Sequence, residues 1–172
     1  DIPAVGGKNA SLGEMYSKLI PQGINVPDGF AITAAAYWNF IEFNNLKNHL
    51  VDLLTTLDVT NFSNLHEVGT KCRSLMMNGS LPNELRNAII GAYSDFVGKY
   101  GNTISLAVRS SATAEDLPNA SFAGQQETFL NVKGAENLLL ACHRCFASLF
   151  TDRAIKYRTD NGFNHMKVAL SV

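Results

Sequence analysis

Ser105-Leu106-Ala107-Val108-Arg109-Ser110 is the stretch on which the reading of this chain turns. It alternates as a half-buried strand does, with Leu106 and Val108 on one face and Ala107 and Arg109 on the other. Arg109 thus points away from the apolar face at the strand's end, where its fixed fork of donors suits phosphate oxygens. From Ser110 to Gly124 the side chains are mostly small and show no periodicity. Such a segment exposes backbone amides and hydroxyls and can close over a ligand as a lid. A plain hairpin loop with Arg109 in a surface ion pair explains the same residues equally well. Downstream, the pattern predicts a strand at Glu127 to Val132, a helix from Ala135 to Ala147 and a further helical run from Leu149 to Arg158.

Upstream, the texture is helical. Asn9 is read as the cap of a helix from Ala10 to Ile20, in which Leu12, Met15, Tyr16 and Leu19 share one face and which Pro21 and Gly23 end. Pro27-Asp28-Gly29 is a turn leading Phe30-Ala31-Ile32 into an extended piece, and Thr33 caps a helix whose aromatic residues Tyr37, Trp38 and Phe40 form its buried face. Helical patterns follow from Leu46 to Thr56 and from Asn64 to Met77, and Pro82 opens a longer helix reaching Tyr100. The expected class is α+β, with a helical front half, 1–101, and a mixed back half, 102–172, as possible subdomains sharing one cleft.

The 172 residues carry 14 Lys plus Arg against 15 Asp plus Glu, a net charge of −1, which gives no drive toward nucleic acid or an anionic membrane. Apolar residues make up 46% and charged residues 17%, the balance of a folded domain rather than a disordered one. No apolar run reaches the ~18 residues of a membrane span, and the opening residues do not show the basic, apolar, small-residue pattern of a secretory leader. Three cysteines do not make a disulfide framework, so a reducing cytoplasm is the expected compartment. The start at Asp1 without a methionine, and the closing alternation Lys167-Val168-Ala169-Leu170-Ser171-Val172 with no turn after it, lead us to expect a piece of a longer protein.

Gly6-Gly7-Lys8-Asn9, at a helix start, is the first place for chemistry. Unpaired amides and the positive dipole end favour anions there, two glycines allow a phosphate close to the backbone, and Lys8 adds a full charge. It is not a Walker A loop, because the earlier glycine would fall at Ile2. A Gly-Gly turn with a solvated lysine accounts for the same pattern. Glu115-Asp116 reads as a solvated turn before it reads as an acid–base pair. Cys142 and Cys145 have a C-x-x-C spacing, but Leu138, Cys142, Cys145 and Leu149 follow one helical stripe, so core packing is expected rather than a metal. His49, His66, His143 and His165 are scattered, with no nucleophile arranged beside any of them.

Longer stretches carry a resemblance. Val5-Gly6-Gly7-Lys8-Asn9-Ala10-Ser11-Leu12-Gly13-Glu14-Met15 and Val26-Pro27-Asp28-Gly29-Phe30-Ala31-Ile32-Thr33 resemble the opening of the phosphoenolpyruvate synthases, or pyruvate, water dikinases. Ala107 through Asn131 and Phe146 through Arg158 are similar to the same family, and only Lys47 to Asn102 is generic helical sequence. The resemblance implies the first part of an ATP-grasp nucleotide-binding domain, a fold shared with pyruvate phosphate dikinase and rifampicin phosphotransferase. It implies that Lys8 and Arg109 act on the ATP phosphates as catalytic residues. Gly6, Gly7 and Ser110 would line the site, with Gly124 and Thr128 closing around the phosphates.

The chemistry implied passes the β-phosphoryl group of ATP to a histidine on a separate swivelling domain and then to pyruvate in a third, releasing AMP and phosphate. Mg²⁺ is implied too, its carboxylate ligand and a nearby glutamine being expected after Val172. None of the four histidines stands in the Gly-Gly-x-x-x-His setting of the phosphorylated residue. ATP and the other domains of the same chain are the implied partners, with neither nucleic acid nor membrane among them, and the segment alone is expected to be inactive. A free-standing, non-catalytic nucleotide-binding module is the alternative of a different class.

Overall fold

The computed structural model describes residues 2–113 and 127–172. Seven helices and four short strands follow in the order α1 (Ile2–Leu19), α2 (Ala34–Phe43), α3 (Leu46–Thr55), α4 (Leu65–Asn78), α5 (Asn83–Tyr100), β1 (Leu106–Arg109), β2 (Ser111–Ala112), β3 (Thr128–Val132), α6 (Ala135–Ala147), α7 (Asp152–Asp160) and β4 (Leu170–Ser171). This is the expected α+β class, with helices throughout and every described strand after residue 105.

The strands form two antiparallel pairs, β1 with β3 and β2 with β4. In the first, Val108 faces Phe129 and Arg109 faces Thr128, with a bulge between Leu106 and Val108. Asn131, at φ 57°, supplies the extra residue of that bulge. Val108 and Val132 turn inward onto α6, whereas Ala107, Arg109, Thr128 and Leu130 are exposed, so the alternation of β1 sorts its faces as its sequence predicts. In the second pair Ser111 faces Ser171 and Ala112 faces Leu170. Ile32 exchanges two backbone bonds with Val172, at 2.8 and 3.0 Å, so the extended piece after Gly29 flanks β4 without becoming a strand of its own.

The core is one continuous set of side chains from both halves of the chain. Tyr37, Phe40 and Ile41 of α2 meet Phe146 of α6, and Val68, Cys72 and Met76 line the inner face of α4. Leu138, Cys142, Cys145 and Leu149 are buried along a single stripe, as their spacing predicts. Burial pushes the Cys142 thiol up to about 12 and the Cys72 thiol up to about 11, leaving both as apolar fillers.

One expectation is corrected. The first helix begins well before Ala10, and Asn9 lies inside it instead of capping it. Leu12, Met15, Tyr16 and Leu19 lie in this helix, with Leu12 37% and Met15 40% exposed. No described helix is long and apolar enough to cross a membrane.

Candidate functional site

Gly6 sets the geometry of the first candidate. Its φ of 72° and ψ of 162° break α1 into a short opening and a regular helix, a conformation open to glycine and costly for residues with a Cβ. A Cβ added there would overlap Ser111 Oγ and stand 2.9 Å from Ser111 Cβ and 3.1 Å from the Ser111 carbonyl oxygen. The backbone of α1 therefore rests directly on β2. Three residues later Asn9 Nδ2 donates to Ser171 Oγ at 2.9 Å, and Ser171 Oγ donates to the Ile32 carbonyl at 2.7 Å.

Ser111 and Ser171 are partners across the β2–β4 pair. Gly6 and Asn9 each meet one of these two serines. Lys8 lies between these two points of attachment and is exposed, while Gly7 is half-buried.

The second candidate joins the first through β2. Arg109 closes β1, exposed, directly across from the exposed Thr128. Such opposite residues hold their Cβ atoms about 5 Å apart on one face. Ser110 turns inward, 1% exposed: its backbone N–H donates to the Glu127 carbonyl at 3.1 Å, and its hydroxyl accepts from Glu127 N–H at 3.1 Å. Ser110 thereby pins together the two ends of the intervening segment. Lys8 stands two residues from the Gly6–Ser111 contact and Arg109 two residues from the same contact on the other side. The structure thus seats Gly6 on Ser111, sets Arg109 opposite Thr128 and ties Ser110 to Glu127. Gly124, and Glu115-Asp116 with it, lie outside the described residues.

Two parts of this arrangement escaped the sequence reading. The sequence suggests a cap at Asn9, and only the fold shows its side chain reaching Ser171 instead. Ser111 stands in the candidate run Val108-Arg109-Ser110-Ser111 without a role of its own, although Gly-Gly in one segment and Ser-Ser-Ala in another are the composition that a close backbone approach requires.

Elsewhere the polar clusters tie elements together. Arg73 Nη1 donates to Asp152 Oδ1 at 2.7 Å and to the Phe150 carbonyl at 2.8 Å, and His66 Nδ1 lies 2.8 Å from Asp152 Oδ2. Burial opposes ionisation of Asp152, yet the Arg73 and His66 contacts hold its carboxyl below the usual range. Asp28 accepts from Lys99 Nζ at 2.6 Å and Tyr100 OH at 2.7 Å, fixing the 27–29 turn to the end of α5, and these bonds keep its carboxyl low. Among the described residues no group of three or more His, Cys, Asp or Glu is placed to hold a metal ion. A shallow hollow of about 430 Å³ is lined by Val51, Leu54, His165 and Met166 among others, and none of the candidate residues borders it.

Comparison with known proteins places the chain. The family described as "Pyruvate phosphate dikinase, AMP/ATP-binding domain" matches residues 2–172. A phosphoenolpyruvate synthase of Synechocystis is 54% identical over 177 residues, covering 100% of this chain and 22% of that protein. The synthase of Aquifex aeolicus is 51% identical over 173 residues, 100% of this chain and 20% of the relative. That of Escherichia coli is 48% identical over 171 residues, 99% and 22%. The chain thus spans about a fifth of the length of these relatives.

Proposed function

The chain belongs to the pyruvate phosphate dikinase AMP/ATP-binding domain family, and from that premise we propose that it grips the phosphates of ATP as one part of a phosphoenolpyruvate synthase. In that reading the whole enzyme converts ATP, pyruvate and water to phosphoenolpyruvate, AMP and phosphate through a phosphohistidine on another domain. The observation that carries it is the seating of Gly6 on Ser111, which leaves Lys8 and Arg109 each two residues from one contact.

Phosphoryl transfer needs positioning and the neutralisation of spread negative charge more than covalent help. The Lys8 ammonium serves as a mobile point charge, and the Arg109 guanidinium as a planar fork that fixes two oxygens at once. Gly7 offers its amide at the start of the regular helix, and the Thr128 hydroxyl stands beside Arg109 on the open face of the β1–β3 pair. Ser110 contributes by holding the strand ends at Glu127. Gly124 is assigned to the same site from its place in Ala123-Gly124-Gln125-Gln126-Glu127-Thr128. Mg²⁺ would belong to the complete enzyme; the described residues of this chain do not assemble a ligand set for it. The synthase is favoured over the dikinase and rifampicin phosphotransferase relatives because the similar proteins named above are synthases. A reducing, cytoplasmic setting accords with three buried free thiols.

Lys8→Met and Arg109→Met in the full-length protein test the assignment. Each should cut ATP-dependent phosphohistidine formation by about 100-fold or more, the usual scale for removing one transition-state donor, and leave pyruvate binding unchanged. Near-parental phosphorylation from labelled ATP in both variants would refute it.

A further inference from the structure

Ser111 is buried to 1% exposure, and among the described residues its hydroxyl has no hydrogen-bond partner. Its neighbour across the strand pair shows what the same face normally provides. Ser171 Oγ accepts from Asn9 and donates to Ile32, both groups supplied by elements packed on that face. The helix that satisfies one serine thus leaves the other unpaired three residues away. The Ser111 hydroxyl is aimed at the Gly6 backbone, since it is the atom that a Cβ on Gly6 would strike first. A buried hydroxyl without a partner is costly, and alanine would fill the space without that cost.

We propose that Ser111 is a positioning residue for the nucleotide, whose hydroxyl orients the Gly6–Gly7 peptide when a phosphate is bound. In a trans peptide the N–H and C=O point in opposite directions. If the Gly7 N–H turns toward a phosphate oxygen, the Gly6 carbonyl turns away from it, toward the Ser111 hydroxyl, which then donates to it. Glycine on both sides of that peptide permits the rotation, because neither residue has a Cβ to resist it. The serine therefore gains its partner in the state where the loop amide is aimed at the ligand, and helps hold it there. The inference rests on the phosphate-binding reading given above.

The test is made in the full-length protein with ATP and Mg²⁺ as the probe, comparing the parent, Ser111→Ala and Lys8→Met. Ser111→Ala should unfold at the same temperature as the parent or higher without nucleotide, since it removes an unsatisfied polar group. It should bind ATP about ten-fold more weakly, with KM for ATP raised and KM for pyruvate unchanged. A lower melting temperature without nucleotide would make the hydroxyl a structural one and overturn the proposal. Parental ATP affinity in Ser111→Ala, with Lys8→Met impaired, would overturn the role of Ser111 alone. Parental affinity in Lys8→Met would remove the phosphate-binding reading and this inference with it.

Discussion

Arg158 is a cation sealed inside the protein, 1% exposed, with its guanidinium 5.7 Å from the Phe150 ring. Nη2 donates to the Leu149 carbonyl, and Nε donates to His165 Nδ1 at 2.9 Å. That bond requires a lone pair on Nδ1, so the network assigns the ring proton to Nε2, 3.4 Å from Thr159 Oγ1, which itself donates to the Ile155 carbonyl at 2.9 Å. Protonating His165 would set a second cation against the first, and burial, with the Arg158 charge adding to it, pushes the imidazole down to about 4. The sign follows. The unfolded chain takes up the proton near pH 6.5 while the folded one does not, so stability is full above that value and falls as pH drops to about 4. Because the ring is partly exposed, the loss should be on the order of 1 kcal/mol. Asp58, held down to about 2 by the Ser63 hydroxyl and neighbouring amides, is lost only at lower pH and does not confuse the window. His165→Asn keeps an acceptor for Arg158 and removes the titration. Urea denaturation at a series of pH values should show the slope between 6.5 and 4 flattened in that variant, and an unchanged slope would contradict the account.

At the scale of elements, the ion pair that joins α4 to α7 sits where residue 69 has no side chain. A Cβ on Gly69 would overlap the Asp152 carboxylate and come within 2.8 Å of Arg73 Nη1. The ion pair that joins the start of α7 to α4 occupies the space directly over that glycine. Gly69→Ala should therefore push the Asp152 carboxylate and the Arg73 guanidinium aside, break their ion pair and cost about 1 kcal/mol in chemical denaturation. Gly91→Ala, on α5 with nothing within 4 Å of the added methyl, should instead be neutral or stabilise by up to about 1 kcal/mol. Equal effects of the two changes would show that helix propensity, not the Asp152 contact, governs Gly69. These helices were legible beforehand because their apolar spacing has one solution, as along Leu138, Cys142 and Cys145 of α6, and the faces of β1 followed from strict alternation. The start of the first helix departs from its reading because Asn9 has the chemistry of a cap. What decides it is a tertiary fact, the meeting of Gly6 with Ser111, which no local pattern encodes. Of the candidate site, the residue types and their motifs could be read directly. The seat that relates them could not, because residues 6 and 111 are distant in sequence and meet through absent and small side chains.

For the molecule as a whole, the change of texture at Gly101 raises the question of whether 1–101 and 102–172 unfold as two units. The packing between them is aromatic and central. Phe146 of α6, fully buried, meets Tyr37 edge-on at 5.4 Å between ring centres and Phe40 at 5.5 Å, both on α2. His143 stacks edge-on to Phe40 at 5.2 Å and contacts the Met76 carbonyl of α4 at 2.8 Å through Nε2. Ile32 and Val172 add a backbone pair joining the front of the chain to its last strand. With the two halves sharing one set of buried rings, neither keeps its core when the other opens, and a single cooperative transition is expected. Trp38, the sole tryptophan, lies 5.1 Å from the Tyr37 ring and reports the front half, whereas far-ultraviolet circular dichroism reports helices in both. The two signals should share one midpoint in the 172-residue chain. Phe146→Ala, a change in the back half, should lower that midpoint for both together by about 3–5 kcal/mol of stability. Were Trp38 fluorescence to hold its midpoint while the dichroism shifted, the front half would be folding by itself. The division at residue 101 would then be a boundary between folding units rather than one of composition.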